Sequence, residues 1–142
     1  MPDVRFEYSR YRLERAKESL TVAQELAQNG HYRDANNRAY YGVFHALRAV
    51  LALNGFDAKK HSGIIAEFRR LYIKTGVFPE EISDIIGNAF IIRNASDYDD
   101  MFIATRTDTE IQIANANRLI STIGDWLETQ YKKVSHQSSI LL

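Results

Sequence analysis

The sequence predicts an all-α fold: an antiparallel bundle of four long helices and one shorter one. Three observations predict it. Apolar residues recur at every third or fourth position over long stretches. Asn29-Gly30, Asn54-Gly55 and Thr75-Gly76 end three of those stretches with left-handed terminators. No segment shows the period-two alternation of a half-buried strand.

The first helix spans about Phe6 to Gln28, with Leu13, Ala16, Leu20, Ala23 and Ala27 on one face and Leu26 beside them. Asn29-Gly30 closes it, and the short joint at His31 makes the next helix its antiparallel partner. That second helix runs from about Tyr32 to Leu53 and carries two stripes. Tyr40, Val43, Phe44, Leu47, Val50 and Leu51 form an apolar stripe expected against the first helix, while Arg38, Tyr41, His45 and Arg48 follow another edge. After a short loop, Ile64, Ile65, Phe68, Leu71 and Tyr72 mark the shorter helix, with Ser62 as its expected N-cap. Pro79-Glu80-Glu81 opens a fourth helix, with proline in the first turn and acids near the positive end of the dipole. Ile82, Ile85, Ile86, Ala89, Phe90 and Ile92 supply its buried side, and it ends between Ser96 and Tyr98. Thr107-Asp108-Thr109-Glu110 reads as a capping box for the last helix, whose apolar face of Ile113, Ala116, Ile120, Ile123 and Leu127 fades near Tyr131.

No repeat or Gly/Ser linker divides the chain, so residues 1–131 are expected as a single domain and 132–142 as a flexible C-terminal tail. With 142 residues the chain is long enough to bury its own core. Lys plus Arg equals Asp plus Glu at 18 each, a balance that argues against coating a polyanion nonspecifically and leaves any RNA recognition to a local site. With no cysteine, thiolate zinc sites, disulfides and cysteine nucleophiles are excluded. No apolar run reaches the ~20 residues needed to cross a bilayer, and the N-terminus lacks a signal-peptide pattern. A cytoplasmic address without membrane attachment is expected.

Chemistry concentrates around Arg93, which falls seven residues after Ile86 and so lies on or beside an apolar face. A guanidinium there needs a partner. Asp97, one turn on, supplies one as an ordinary helical ion pair; alternatively the fork receives a phosphate or a partner's carboxylate. Tyr40 and Tyr41 fit core and rim positions as well as ligand contacts. His45 stands with Arg38, Tyr41 and Arg48 and can act as acid or base near neutral pH, whereas His61 begins a helix and is expected to bond locally. Asp97, Asp99 and Asp100 match no metal-binding loop, so no metal and no cofactor is expected. Walker, Rossmann, GxSxG and HExxH motifs are all lacking.

Taken in order, AYYGVFHALRAVL at 39–51, HSG at 61–63, KTG at 74–76 and RNASDY at 93–98 resemble the HEPN domains, in the subgroup with HSG and a late-helix RxxxDY. The resemblance covers the chain from the first helix to about Glu128. It implies a bundle of the nucleotidyltransferase substrate-binding-subunit type, a homodimer with late-helix arginines near a cleft between subunits, and a minimal nucleotidyltransferase as partner in a toxin-antitoxin-like pair. Many relatives are metal-independent ribonucleases with an RX4-6H motif, in which arginine stabilises the phosphate and histidine moves the 2′-hydroxyl proton. This sequence departs from that motif. Tyr98, Asp99 and Asp100 stand where the histidine belongs, and Arg38 with His45 has the spacing in the wrong helix. For catalysis the resemblance therefore leaves Arg93 with a histidine brought from elsewhere, His45 first. For binding it implies Arg93, Asn94, Asp97, Tyr98, Tyr40 and Tyr41 around a nucleotide or RNA phosphate, and it makes Tyr98 an acceptor for adenylylation by the partner. A helical interaction module without a ligand is the third reading.

Overall fold

The computed structural model describes residues 4–141, with side chains through Val134. All five expected helices form: α1 Val4–Gln28, α2 Tyr32–Ala52, α3 His61–Phe68, α4 Glu80–Tyr98 and α5 Arg106–Leu141. Among the described residues there is no strand.

α1 stops because Gly30 takes φ 81° and lets the His31 amide donate back to the Leu26 carbonyl at 2.9 Å. α2 then returns along α1. Ala16 and Ala23 on α1 and Ala39, Ala46 and Ala49 on α2 are all buried, and such small side chains let two helix backbones approach closely. Gly42 takes this furthest, since a Cβ there would lie 3.3 Å from the Ala16 carbonyl and 3.2 Å from Ile120 Cδ1 of α5. Ser9 joins the same three helices, donating to the Ala49 carbonyl at 2.7 Å and sharing a 2.7 Å hydrogen bond with the Tyr131 hydroxyl. Both groups are buried, so this polar contact leaves neither hydroxyl unsatisfied.

α2 is the central helix and packs against all four others. That placement corrects the expected stripe. Val43, Leu47, Val50 and Leu51 are buried as predicted, yet Tyr40 and Phe44 turn to the His61 ring at the start of α3 instead of to α1, and Tyr40 also meets Phe90 of α4. A helix that packs against four others has no single core face to read from its periodicity.

Two caps differ from expectation. α3 begins at His61 after an extended Lys60, with no side-chain cap, so Ser62 lies inside the helix. α5 begins at Arg106, and the Thr105 hydroxyl accepts from the Asp108 amide at 3.1 Å. The capping threonine is thus two residues earlier than the one predicted. Thr109 of the expected box is fully buried, where its hydroxyl accepts from Asn36 at 3.3 Å, and Glu110 pairs with Arg106 at 2.9 Å.

Between α3 and α4 the chain makes a π-helical turn over Arg69–Ile73, closed by the Lys74 amide donating to the Arg69 carbonyl at 2.9 Å. It brings Phe68, Tyr72 and Phe78 into stacked contact beside Trp126 of α5. α5 continues beyond Tyr131 to Leu141, through the stretch expected as a tail; side chains from Ser135 onward lie outside the described residues. No helix in the described region is long and apolar enough to cross a membrane.

Candidate functional site

The α2, α3 and α4 helices meet at a cluster containing all six binding residues proposed from sequence and two more. α4 presents Arg93, Asn94, Asp97 and Tyr98, α2 presents Tyr40, Tyr41 and Asn37, and α3 opens on His61. Regular spacing explains the α4 set, because residues three or four apart fall on one side of a helix.

Arg93 is the centre. Its side chain is only 16% exposed, with the guanidinium over the Tyr40 ring at 5.3 Å and the Tyr98 ring at 5.8 Å. Asp97 Oδ2 lies 3.0 Å from Nε, the predicted helical ion pair. The Nε–H bond is not directed at that oxygen, so the contact is electrostatic and this buried N–H has no hydrogen-bond acceptor among the described residues. Burial works against the charge, but the Tyr41 hydroxyl, the Asp97 carboxylate and Tyr40 more than offset it and hold Arg93 in its charged form. Asn94 approaches a terminal nitrogen at 3.5 Å. Asp97 is itself fixed from α2, where the Asn37 amide donates to its two oxygens at 3.0 and 3.3 Å.

Tyr40 forms the floor. Its ring is buried, and its hydroxyl shares a 2.8 Å hydrogen bond with His61 Nδ1. Burial pushes the phenol up to about 12, with Arg93 opposing and Tyr41 adding to the rise. It is therefore protonated at physiological pH, and beside a neutral His61 it donates to Nδ1 in the Nε2–H tautomer or accepts from Nδ1–H in the other. Burial lowers the His61 pKa below the ordinary range, and the positive charges of Arg93 and Arg48 lower it further. In the Nδ1–H tautomer the phenol oxygen accepts from His61, and Nε2 is left free to take a proton.

The two histidines exchange the places expected of them. His45 sits on the α1 side of α2, with Nδ1 3.1 Å from an Arg12 terminal nitrogen, and is not brought to Arg93. Burial, then Arg12, Arg15 and Arg48, push its pKa down to about 4. His61, expected to bond locally, reaches across to Tyr40. One turn of helix separates Tyr41 from His45, enough to point them at different neighbours. The HSG motif contained the relevant histidine, but its bond to Tyr40 depends on how the 53–60 loop folds back, which no local spacing encodes.

The other sequence candidates separate. Arg48 stacks on Phe44 at 4.9 Å and donates to the Ala58 carbonyl at 3.1 Å, which makes it a brace for the loop before α3. Arg38 is exposed on α2. Asp99 accepts from the Met101 amide at 3.0 Å in a local turn, and no group of three or more His, Asp or Glu suited to a metal gathers among the described residues. The connection from α4 to α5 is tied down by Arg33, which sequence reasoning missed. Its guanidinium donates to the Ser96 carbonyl at 2.5 Å and the Phe102 carbonyl at 2.8 Å. Arginine in the first turn of a helix carries no local signal of such a role.

Comparison with known proteins places this architecture. The HEPN domain profile matches residues 9–126. A UPF0332 protein of Thermotoga maritima is 31% identical over 114 residues, 80% of this chain and 86% of its own. A candidate toxin of Methanocaldococcus jannaschii, MJ0605, is 37% identical over 86 residues; the match takes in 61% of this chain and spans 64% of that relative's length. Among solved structures, TT1696 of Thermus thermophilus superimposes with a TM-score of 0.71 at 21% identity, covering 82% of this chain and 96% of that one. An archaeal HEPN homologue, ST0689, gives 0.67 at 17% identity, covering 84% and 97%. These structures share the fold, while the profile and the Thermotoga relative establish kinship. The chain belongs to the HEPN domain family.

Proposed function

We propose that the Arg93 cluster recognises the phosphate of a nucleotide or an RNA strand, in a subunit that works as a homodimer beside a minimal nucleotidyltransferase in a toxin-antitoxin-like module. The observation that carries the reading is the guanidinium of Arg93, lying over the Tyr40 and Tyr98 rings and paired imperfectly with Asp97. A planar fork fixed on one edge by a carboxylate keeps donors available for an anion, and a neighbouring exposed tyrosine offers a face for a base. The toxin names of two Methanocaldococcus jannaschii relatives support the module. Ile91, Tyr98, Met101 and Ile103 are exposed along the end of α4 and the connection after it, which suits a second copy docking beside Arg93.

The test is a titration of ATP and of a labelled single-stranded RNA against the wild type and Arg93→Ala, with a chelator present. Equal affinities for both proteins would sink the phosphate reading. Sedimentation at micromolar concentration tests the homodimer. Tyr98, 75% exposed, is the acceptor hydroxyl in this scheme: it takes the adenylyl group from ATP on the partner enzyme and pyrophosphate leaves. An intact mass unchanged after incubation with ATP and that enzyme would remove this step.

A second reading, a metal-independent ribonuclease, is favoured by one observation, the placement of His61. Bound to Tyr40 and within the field of Arg93, it supplies a neutral base where the RX4-6H histidine is lacking. In this reading Arg93 stabilises the phosphate and His61, not His45, takes the 2′-hydroxyl proton. Cleavage of RNA by the wild type that persists at the same rate in His61→Gln would exclude it.

A further inference from the structure

A second cluster of aromatic and cationic side chains lies further along α2, where α1 runs beside it. Arg12 donates through Nε and a terminal nitrogen to the Tyr8 hydroxyl at 3.0 and 2.5 Å, and its other terminal nitrogen faces His45 Nδ1 at 3.1 Å. An arginine can only donate, so Nδ1 accepts and the imidazole carries its hydrogen on Nε2. The guanidinium stands 5.0 Å from the Tyr8 ring and 5.8 Å from the Tyr11 ring, and those two rings lie 6.3 Å apart. Tyr8 is 37% exposed and Tyr11 55%, an unusual outward placement for two aromatics with a cation fixed between them.

Charge is only partly compensated here. Among the described residues no carboxylate lies within ion-pair distance of Arg12 or Arg38, and the neighbouring Arg15 and Arg48 reach Glu18 and Asp57 only at 3.6 and 3.5 Å. The local field is positive enough that Arg12, Arg15 and Arg48 all help keep His45 neutral. The chain as a whole has no net charge, so this concentration of cations is a local feature of the α1–α2 edge. That edge is continuous with the Arg93 cluster. Tyr41, which contacts Arg93, precedes His45, which contacts Arg12, by one helical turn, about 6 Å along the axis.

We infer that the α1–α2 edge formed by Tyr8, Tyr11 and Arg12 is a second contact surface for single-stranded RNA, carrying the flank of a strand whose phosphate is held at Arg93. The inference rests on the phosphate reading of the Arg93 cluster. Exposed tyrosines give stacking faces that any base can use, and Arg12 between them, with no carboxylate partner among the described residues, takes a backbone phosphate. An acidic peptide would use the arginines but would gain little from the two rings.

The experiment compares a dinucleotide with an oligouridylate long enough to cover both clusters, by fluorescence anisotropy at several salt concentrations. The proteins are wild type, Tyr11→Ala, Tyr11→Ala/Arg12→Gln, Arg93→Ala and, as a control for removing one exposed charge elsewhere, Arg106→Ala. The double variant is expected to lose about tenfold in affinity for the long strand, to flatten its salt dependence by about one counterion, and to bind the dinucleotide unchanged. Arg93→Ala is expected to weaken both ligands and Arg106→Ala neither. Because Arg12 also holds His45, Tyr11→Ala alone guards against a folding artefact: its ring is exposed, and loss of long-strand affinity in that variant supports the surface by itself. Long-strand affinity and salt slope unchanged in the double variant, with Arg93→Ala still weakening the dinucleotide, would overturn the second surface and leave the first site standing. Weakening by the double variant but not by Arg93→Ala would do the reverse. Displacement of the strand by polyglutamate together with indifference to Tyr11→Ala would assign the edge to an acidic protein and overturn the inference, as would a wild type that binds neither RNA.

Discussion

Two aromatic clusters of similar density sit in this bundle, and they do different work. Phe68, Tyr72, Phe78 and Trp126 pack at the π-helical turn with ring centroids 5.4 to 6.0 Å apart, and the Tyr72 hydroxyl donates to Asn54 at 2.6 Å. Tyr40, Tyr41, Phe44 and His61 pack comparably, yet Arg48 stacks on Phe44 and Arg93 on Tyr40. The first cluster is closed by apolar neighbours and the second is capped by cations. Ring content alone therefore does not separate core from site. What separates them is a charge that the fold brings to the rings without fully neutralising it.

The comparison breaks most visibly with Phe68→Ala. That ring is fully buried, and its removal is expected to cost about 3–5 kcal/mol in urea unfolding, with ligand affinity preserved in the fraction that remains folded. Arg93→Ala should behave in the opposite way: stability close to wild type and nucleotide or RNA affinity lower by about tenfold to a hundredfold, read by titration. A large stability loss in Arg93→Ala would mean that the second cluster is core after all.

Next in size is the pH response of His45. Its pKa is about 4 in the folded chain and about 6.5 when unfolded, so the unfolded state binds more protons between those values. The stability it contributes is complete above pH 6.5 and is lost as pH falls towards 4. After discounting for its partial solvent access, the loss is about 1–2 kcal/mol. Thermal melts at pH 7 and pH 4.5 should show the drop, and His45→Gln should shrink it. The smallest effect sharpens the contrast between the tyrosines: Tyr72→Phe should cost about 0.5–1.5 kcal/mol from the lost bond to Asn54. Tyr40→Phe should cost a similar amount and, in addition, move the His61 titration followed by NMR, since it removes the partner of Nδ1.

Helix number, order and approximate ends were legible in the sequence because each rests on local physics: apolar spacing and glycine terminators such as Gly30. The α4 half of the site was legible for the same reason, since Arg93, Asn94 and Asp97 lie within one turn. The choice of histidine was not. His45 lies one helical turn from Tyr41 and His61 twenty residues on, so spacing favours His45, and only the packing of α3 across α2 brings His61 to Tyr40 instead. The capping threonine of α5 was misplaced because Thr105 and Thr107 offer the same side chain, and the preference was settled by burying Thr109 against Asn36. The π-helical turn and the Arg33 clasp have no short-range signature at all.

The hydrogen bonds from Asn37 to Asp97 and from Arg33 to Ser96 join positions 60 and 63 residues apart in the chain. The α1–α2 hairpin, by contrast, needs only the short joint at Gly30. Contacts that close long stretches of chain are slow to form, since most of the intervening polypeptide must already be ordered. The hairpin is accordingly the early structure in the order of assembly and the Arg93 cluster a late one. A chain still emerging from the ribosome has its α1–α2 edge before α4 exists, and the capacity to grip a phosphate at Arg93 arises only when the bundle closes.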